Sequence, residues 1–166
     1  SILHGVGQLV SYKSHHRHSY RRIMHADRIG LGARERSLVA LVSRYHRRRG
    51  PKRSDPEFAA LSPDDQALVR RTAGLLRVAD GLDRGHTAVV DQVRAELTRK
   101  KLVLRIAPRR AGANMELEGW AARRKADVLQ KVLGRKITIN ASLALADPPA
   151  AGERRRVTRR KAPRRS

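Results

Sequence analysis

Residues 62–107 read SPDDQALVRRTAGLLRVADGLDRGHTAVVDQVRAELTRKKLVLRIA, and the spacing of their apolar side chains changes once along the way. The first half has helical spacing, with Leu68, Val69, Thr72, Leu75, Leu76, Ala79 and Leu82 returning to one side. Its start is marked three times over: Ser62 caps, Pro63 suits the first turn, and Asp64 and Asp65 oppose the helix dipole. Gly85 follows as a stop. From Val90 to Ala107 the period shortens toward two, through Val93, Ala95 and Leu97 and then Leu102, Leu104 and Ile106. Thr98, Arg99 and Lys100 form the turn between them, so this half predicts a β-hairpin.

Working outward, Met115 to Leu133 returns to helical spacing. Leu117, Trp120, Ala121, Val128, Leu129 and Val132 are expected to face inward on a single helix closed by Gly134. Lys136 to Asn140, with Ile137 and Ile139, predicts a short strand, which makes the second unit β-β-α-β. On the N-terminal side, Ser19 caps a short helix carrying Tyr20, Ile23 and Met24 inward. Ala33 to Arg48 places Leu38, Val39, Leu41, Val42 and Tyr45 on one side, and Gly50-Pro51 ends it. The expected fold is mainly α: a helical bundle over residues 1–86, a small α+β subdomain over 87–146, and a disordered basic tail over 147–166 beginning at Asp147-Pro148-Pro149.

The chain of 166 residues is 40% hydrophobic, so its composition allows a core. Its charge is extreme: 38 Lys and Arg against 15 acids give +23. The segment 153–166 holds eight Arg or Lys and one Glu, so +7 lies there and +16 on the rest. Such a surface attracts polyanions, and the guanidinium fork pairs bidentately with phosphate oxygens. Aromatics are only 3%, which argues against base stacking and leaves nonspecific nucleic-acid binding. With no cysteine there is no disulfide, zinc-thiolate site or cysteine nucleophile. No apolar run reaches the ~20 residues of a membrane span, and no signal peptide is visible, so a cytoplasmic location is expected. The chain opens at Ser1 within an apolar helical pattern (Ile2, Leu3, Val6, Leu9, Val10), and the expectation is a fragment with more chain upstream.

The histidines are the informative constellation. His4 lies on the first helical pattern, His15, His16 and His18 in a loop entering the second, His46 near the end of the third, and Asp80 within the fourth. Imidazole and carboxylate groups on several antiparallel helices can converge on one bundle site, and such mixed ligation suits phosphoesterase metals. The plainer alternative makes the loop histidines surface residues and His46 a neighbour of Tyr45.

Residues 1–7 (SILHGVG), 11–19 (SYKSHHRHS), 40–48 (ALVSRYHRR) and 75–84 (LLRVADGLDR) resemble the C-terminal HD-type helical domain of the exopolyphosphatase/guanosine-pentaphosphate phosphohydrolase family. The resemblance continues through 101–106 (KLVLRI) and 120–127 (WAARRKAD) and covers roughly residues 1–145. It implies an HD-like helical bundle for residues 1–86. It also implies that catalysis belongs to N-terminal actin-like domains outside this chain, with Mg in the parent enzyme and no cofactor in this part. Gly30-Leu31-Gly32 is too short for a phosphate loop and reads as an inter-helix turn. His4 resembles the histidine of the HD doublet, and His18, His46 and Asp80 resemble later ligand positions. Gly5 stands where the doublet's acid belongs, so a degenerate, metal-free site is expected.

The resemblance further implies inorganic polyphosphate or guanosine pentaphosphate as the anion and a homodimer as the assembly. The candidate groove for phosphate oxygens comprises His15, His16, Arg17, His18, Arg21 and Arg22 together with Arg44, Arg47, Arg48, Arg49, Lys52 and Arg53. Arg109, Arg110, Arg123, Arg124 and Lys125 are expected to extend it. The competing functions are a metal-dependent HD nucleotide phosphohydrolase and a nonspecific nucleic-acid-binding module.

Overall fold

The computed structural model describes Ile23, residues 30–46 and residues 49–142. Within them the order is α1 (Ala33–Tyr45), α2 (Pro56–Ala59), α3 (Pro63–Leu82), β1 (Val90–Leu97), β2 (Lys101–Pro108), α4 (Glu116–Lys125), α5 (Asp127–Leu133) and β3 (Lys136–Ala141). This is a mixed α+β architecture, where a mainly α chain was expected. The expected basic tail and the helical patterns before residue 30, apart from Ile23, lie outside the described residues.

Helix α3 starts as its sequence dictates: Ser62 Oγ accepts from the Asp65 N–H at 3.2 Å and Pro63 occupies the first turn. Asp65 is also held by Arg34 of α1 through two hydrogen bonds, of 2.5 and 3.1 Å. The helical part buries Leu38, Leu41, Tyr45, Phe58, Val69 and Ala73 in one cluster. Tyr45 and Phe58 meet edge to face, with ring centroids 6.0 Å apart, an arrangement favoured by the ring quadrupoles.

The sheet order is β1-β2-β3. The hairpin forms in the register that the alternation demands, with Val93 opposite Ile106, Ala95 opposite Leu104 and Leu97 opposite Leu102. β3 joins β2 in parallel, Ile137 beside Leu102 and Ile139 beside Leu104. Leu102, Leu104, Ile106, Ile137 and Ile139 pack with Val78, Met115, Ala122, Ala126 and Leu129 as the second core cluster.

Two expectations fail in the segment after the hairpin. The single helix from Met115 to Leu133 is two helices, broken at Ala126, whose N–H turns back to the Arg123 carbonyl. The break keeps both pieces against α3, which meets Ala122 with Gly81 and Leu129 with Gly74. Leu117 and Trp120, expected inside, are both half exposed. Helix α4 buries Glu118, Gly119, Ala121 and Ala122 instead: Ala121 and Ala122 lie at the close crossing with Gly81 of α3, and the Glu118 carboxylate accepts from the Gly85 N–H at 3.1 Å.

Candidate functional site

The loop after α1 is organised by one buried carboxylate. Asp55 precedes α2, and its backbone carbonyl accepts from the first N–H groups of that helix. Its carboxylate accepts from Arg49 at 2.5 and 3.0 Å, from the Tyr45 hydroxyl at 3.0 Å and from the Lys52 N–H at 3.0 Å. The Arg49 guanidinium, helped by the Lys52 N–H and the Tyr45 hydroxyl, outweighs burial and pulls this carboxyl down to about 2. Burial, reinforced by Asp55, pushes the Tyr45 phenol well above its ordinary range. The loop is thereby held against α5, with Gly50 packed on Val128 so closely that a Cβ would have no room.

Between this loop and α5 lies a cleft of about 340 Å³, lined by Arg49, Lys52, Arg70, Asp127 and Lys131 among others. Its single acid is taken up: the buried Arg77 donates to Asp127 at 2.9 Å and to the Tyr45 carbonyl at 3.3 Å, joining α3 to α5 and α1. Arg49 is likewise neutralised by Asp55. The cleft's excess charge then comes from Lys52, Arg70 and Lys131. Arg70 is steadied by cation–π contact, its guanidinium carbon 4.7 Å from the centre of the Phe58 ring.

Of the residues expected in the phosphate groove, the structure brings Arg49 and Lys52 to this cleft, while Arg53, the next residue in the chain, is exposed and outside its lining. Arg44 faces elsewhere, paired with Glu57 at 2.9 Å. His15, His16, Arg17, His18, Arg21, Arg22, Arg47 and Arg48 lie outside the described residues, as do His4 and Gly5. Arg70 and Lys131 were missed. Arg70 was legible, since Arg70, Ala73, Gly74 and Arg77 share one stripe of α3, the stripe that meets α5. Lys131 had no such signal.

The proposed extension fragments into local pairs. Arg109 meets Asp91 at 3.5 Å, Arg123 donates to the Ile139 carbonyl at 2.9 Å, and Arg124 lies over the Trp120 ring. Lys125 pairs with Asp80, one of the residues placed at the degenerate metal site. His46 of that set is fully buried, with its Nδ1 2.5 Å from the Ser43 carbonyl. Among the described residues there is no group of three His, Asp or Glu able to hold a metal. No helix among them is long and apolar enough to cross a membrane. A larger groove, about 630 Å³ between α1 and α3, is lined mainly by apolar side chains such as Val39, Leu68, Leu75 and Leu76, and offers phosphate nothing.

The described residues thus form a helix-and-sheet module with a cleft lined by Lys52, Arg70 and Lys131. Residues 1–124 match the family model of the Ppx/GppA phosphatase, domain III, and the chain belongs to that family. The match includes the hairpin and ends inside α4, short of the 145 residues expected from the resemblance. No curated protein matches the chain significantly.

Proposed function

We propose that this chain is the polyphosphate-gripping and dimerising region of an exopolyphosphatase-type phosphohydrolase, with bond cleavage carried out by actin-like domains of the parent enzyme in the cytoplasm. Residues 1–86 are, in this reading, an HD-type domain whose metal site has lapsed, and Mg belongs to the catalytic domains. The observation that carries the reading is the convergence of Lys52, Arg70 and Lys131 on one cleft whose acid is already engaged. Arg49 lines the same cleft, and Arg53 follows Lys52 in the chain. A chain of phosphates presents repeating oxygens at no fixed sequence, so spaced cations that release counterions suit it better than a single specific pocket. Nucleic acid binds the same charge nonspecifically, without stacking or groove readout.

The test is competition at ~150 mM salt, where screened, unstructured contacts fade. Long-chain polyphosphate is expected to displace a labelled polyphosphate far better than duplex DNA or RNA at equal phosphate concentration. Equal displacement by all three would leave only generic electrostatics. The paired substitution Lys52→Ala with Lys131→Ala is expected to weaken polyphosphate binding about tenfold and to reduce the salt slope by about one to two units. Unchanged affinity and slope in a folded variant would remove the cleft from the function.

A further inference from the structure

Strand β1 is an edge. Among the described residues it pairs only with β2, and it leaves Val93 and Leu97 50% and 60% exposed on the face that carries the core residues of the sheet. The Ile106 carbonyl accepts from the Ser142 N–H on the β3 side, so Ile106 directs its backbone away from β1, and Val93 opposite it directs its own away from β2. By the alternation of an antiparallel ladder, the backbone groups of Val93, Ala95 and Leu97 all point outward. Edges meant to stay single are guarded by Lys, Pro or a bulge. Residues 92–97 contain neither Lys nor Pro, and the irregularity of β1 lies before them, between Val90 and Gln92.

The charge of this strand also departs from that of the chain as a whole. Val90–Leu97 carries Asp91 and Glu96 against Arg94, a local −1 in a chain of +23. It is therefore a surface on which two copies approach each other with little repulsion.

We propose that β1 is the interface between two copies of this chain, paired antiparallel about a two-fold axis at Ala95, so that their sheets become one. In that register Ala95 faces its own copy and Val93 faces Leu97, with both pairs exchanging the outward backbone hydrogen bonds. Arg94 faces Glu96 twice, at the more closely spaced, non-hydrogen-bonded positions where side chains interact best. Neighbouring registers lack this complementarity. Centring on Arg94 or Glu96 sets like charges against each other, and centring on Val93 pairs Arg94 with Gln92 and Glu96 with Val90. This names a surface for the dimer advanced above, and it stands whether or not the basic cleft binds phosphate.

The chain contains no cysteine, so a single introduced one reports geometry directly. At the axis the two Ala95 Cα atoms would lie ~5.5 Å apart, within disulfide reach, while the two Val93 positions would lie four residues apart along the ladder. Ala95→Cys is expected to form a covalent dimer on mild oxidation, without polyphosphate, and Val93→Cys is not. Arg94→Glu is expected to weaken association about tenfold or more, and Arg94→Glu with Glu96→Arg to restore it. Ala95→Pro removes an outward N–H and no bond to β2, so it should give a folded monomer by sedimentation and circular dichroism. A chain that stays monomeric at all concentrations overturns the proposal. So does a dimer that survives Ala95→Pro and leaves Ala95→Cys uncrosslinked.

Discussion

Gly81→Ala is expected to lower the stability of the chain by about 3 kcal/mol, a fall in Tm on the order of 10 °C. The side chain added is a single methyl group, and in an exposed helix it would raise stability by about 1 kcal/mol. Here it would sit 2.5 Å from the Ala122 Cα, 2.6 Å from the Ala122 nitrogen and 2.9 Å from the Ala121 carbonyl carbon. All three are backbone atoms of α4, so no rotamer change relieves the contact and the two helices must part. Parting them opens the packing of Val78 and Ala122 on the sheet. Because the clash is with backbone, Ala122→Gly should not rescue the variant. Gly74→Ala, whose nearest contacts on Leu129 are 3.1–3.2 Å, is expected to cost much less. Urea unfolding of the three variants measures this. A Gly81→Ala protein as stable as the parent would mean that α3 and α4 do not approach this closely.

The same close approach explains what was legible in the sequence and what was not. Helix α3 and the hairpin could be read directly, because Ser62, Pro63 and Asp65 act within one turn and the Val93–Leu97 and Leu102–Ile106 alternation fixes a register locally. Helix α4 could not be oriented that way. Its large apolar residues, Leu117 and Trp120, face out, and the side turned to α3 is the one where the small Ala121 and Ala122 meet Gly81. Size complementarity with a distant helix leaves no periodic mark. The break at Ala126 has the same origin. The cleft was partly legible: Arg49 and Lys52 stand in a basic run and Arg70 shares a stripe of α3 with Ala73, Gly74 and Arg77, but Lys131 joins them only through the packing of α3 and α5. Asp80 shows the reverse case, since its spacing from the histidines suggested a shared site, while the fold brings it Lys125.

Asp55→Ala is expected to destabilise the chain by about 3 kcal/mol near neutral pH and to disable the cleft as it does so. The substitution strips the buried Tyr45 hydroxyl of its acceptor, releases Arg49 and leaves the Lys52 N–H unbonded. Arg49 is half exposed and can be rehydrated, so most of the cost falls on the buried Tyr45 hydroxyl. The ionic part can be separated by pH. Asp55 titrates at about 2 in the folded chain, below the ordinary value of 3.8, so the unfolded chain binds its proton first as the solution is acidified. The contribution of this carboxylate, about 2 kcal/mol, is complete above pH ~5 and disappears as pH falls toward 2. Asp55→Asn keeps the shape but not the charge. It is expected to unfold more easily at pH 7 and to show a visibly shallower loss of stability between pH 5 and 2. Urea midpoints across that range decide the matter, and an acid limb as steep in Asp55→Asn as in the parent chain would mean that the carboxylate is not the electrostatic anchor. If it is, polyphosphate affinity should fall in Asp55→Asn even where the variant remains folded, because Arg49 and Lys52 then face the phosphate chain from a loop that no longer holds them in place.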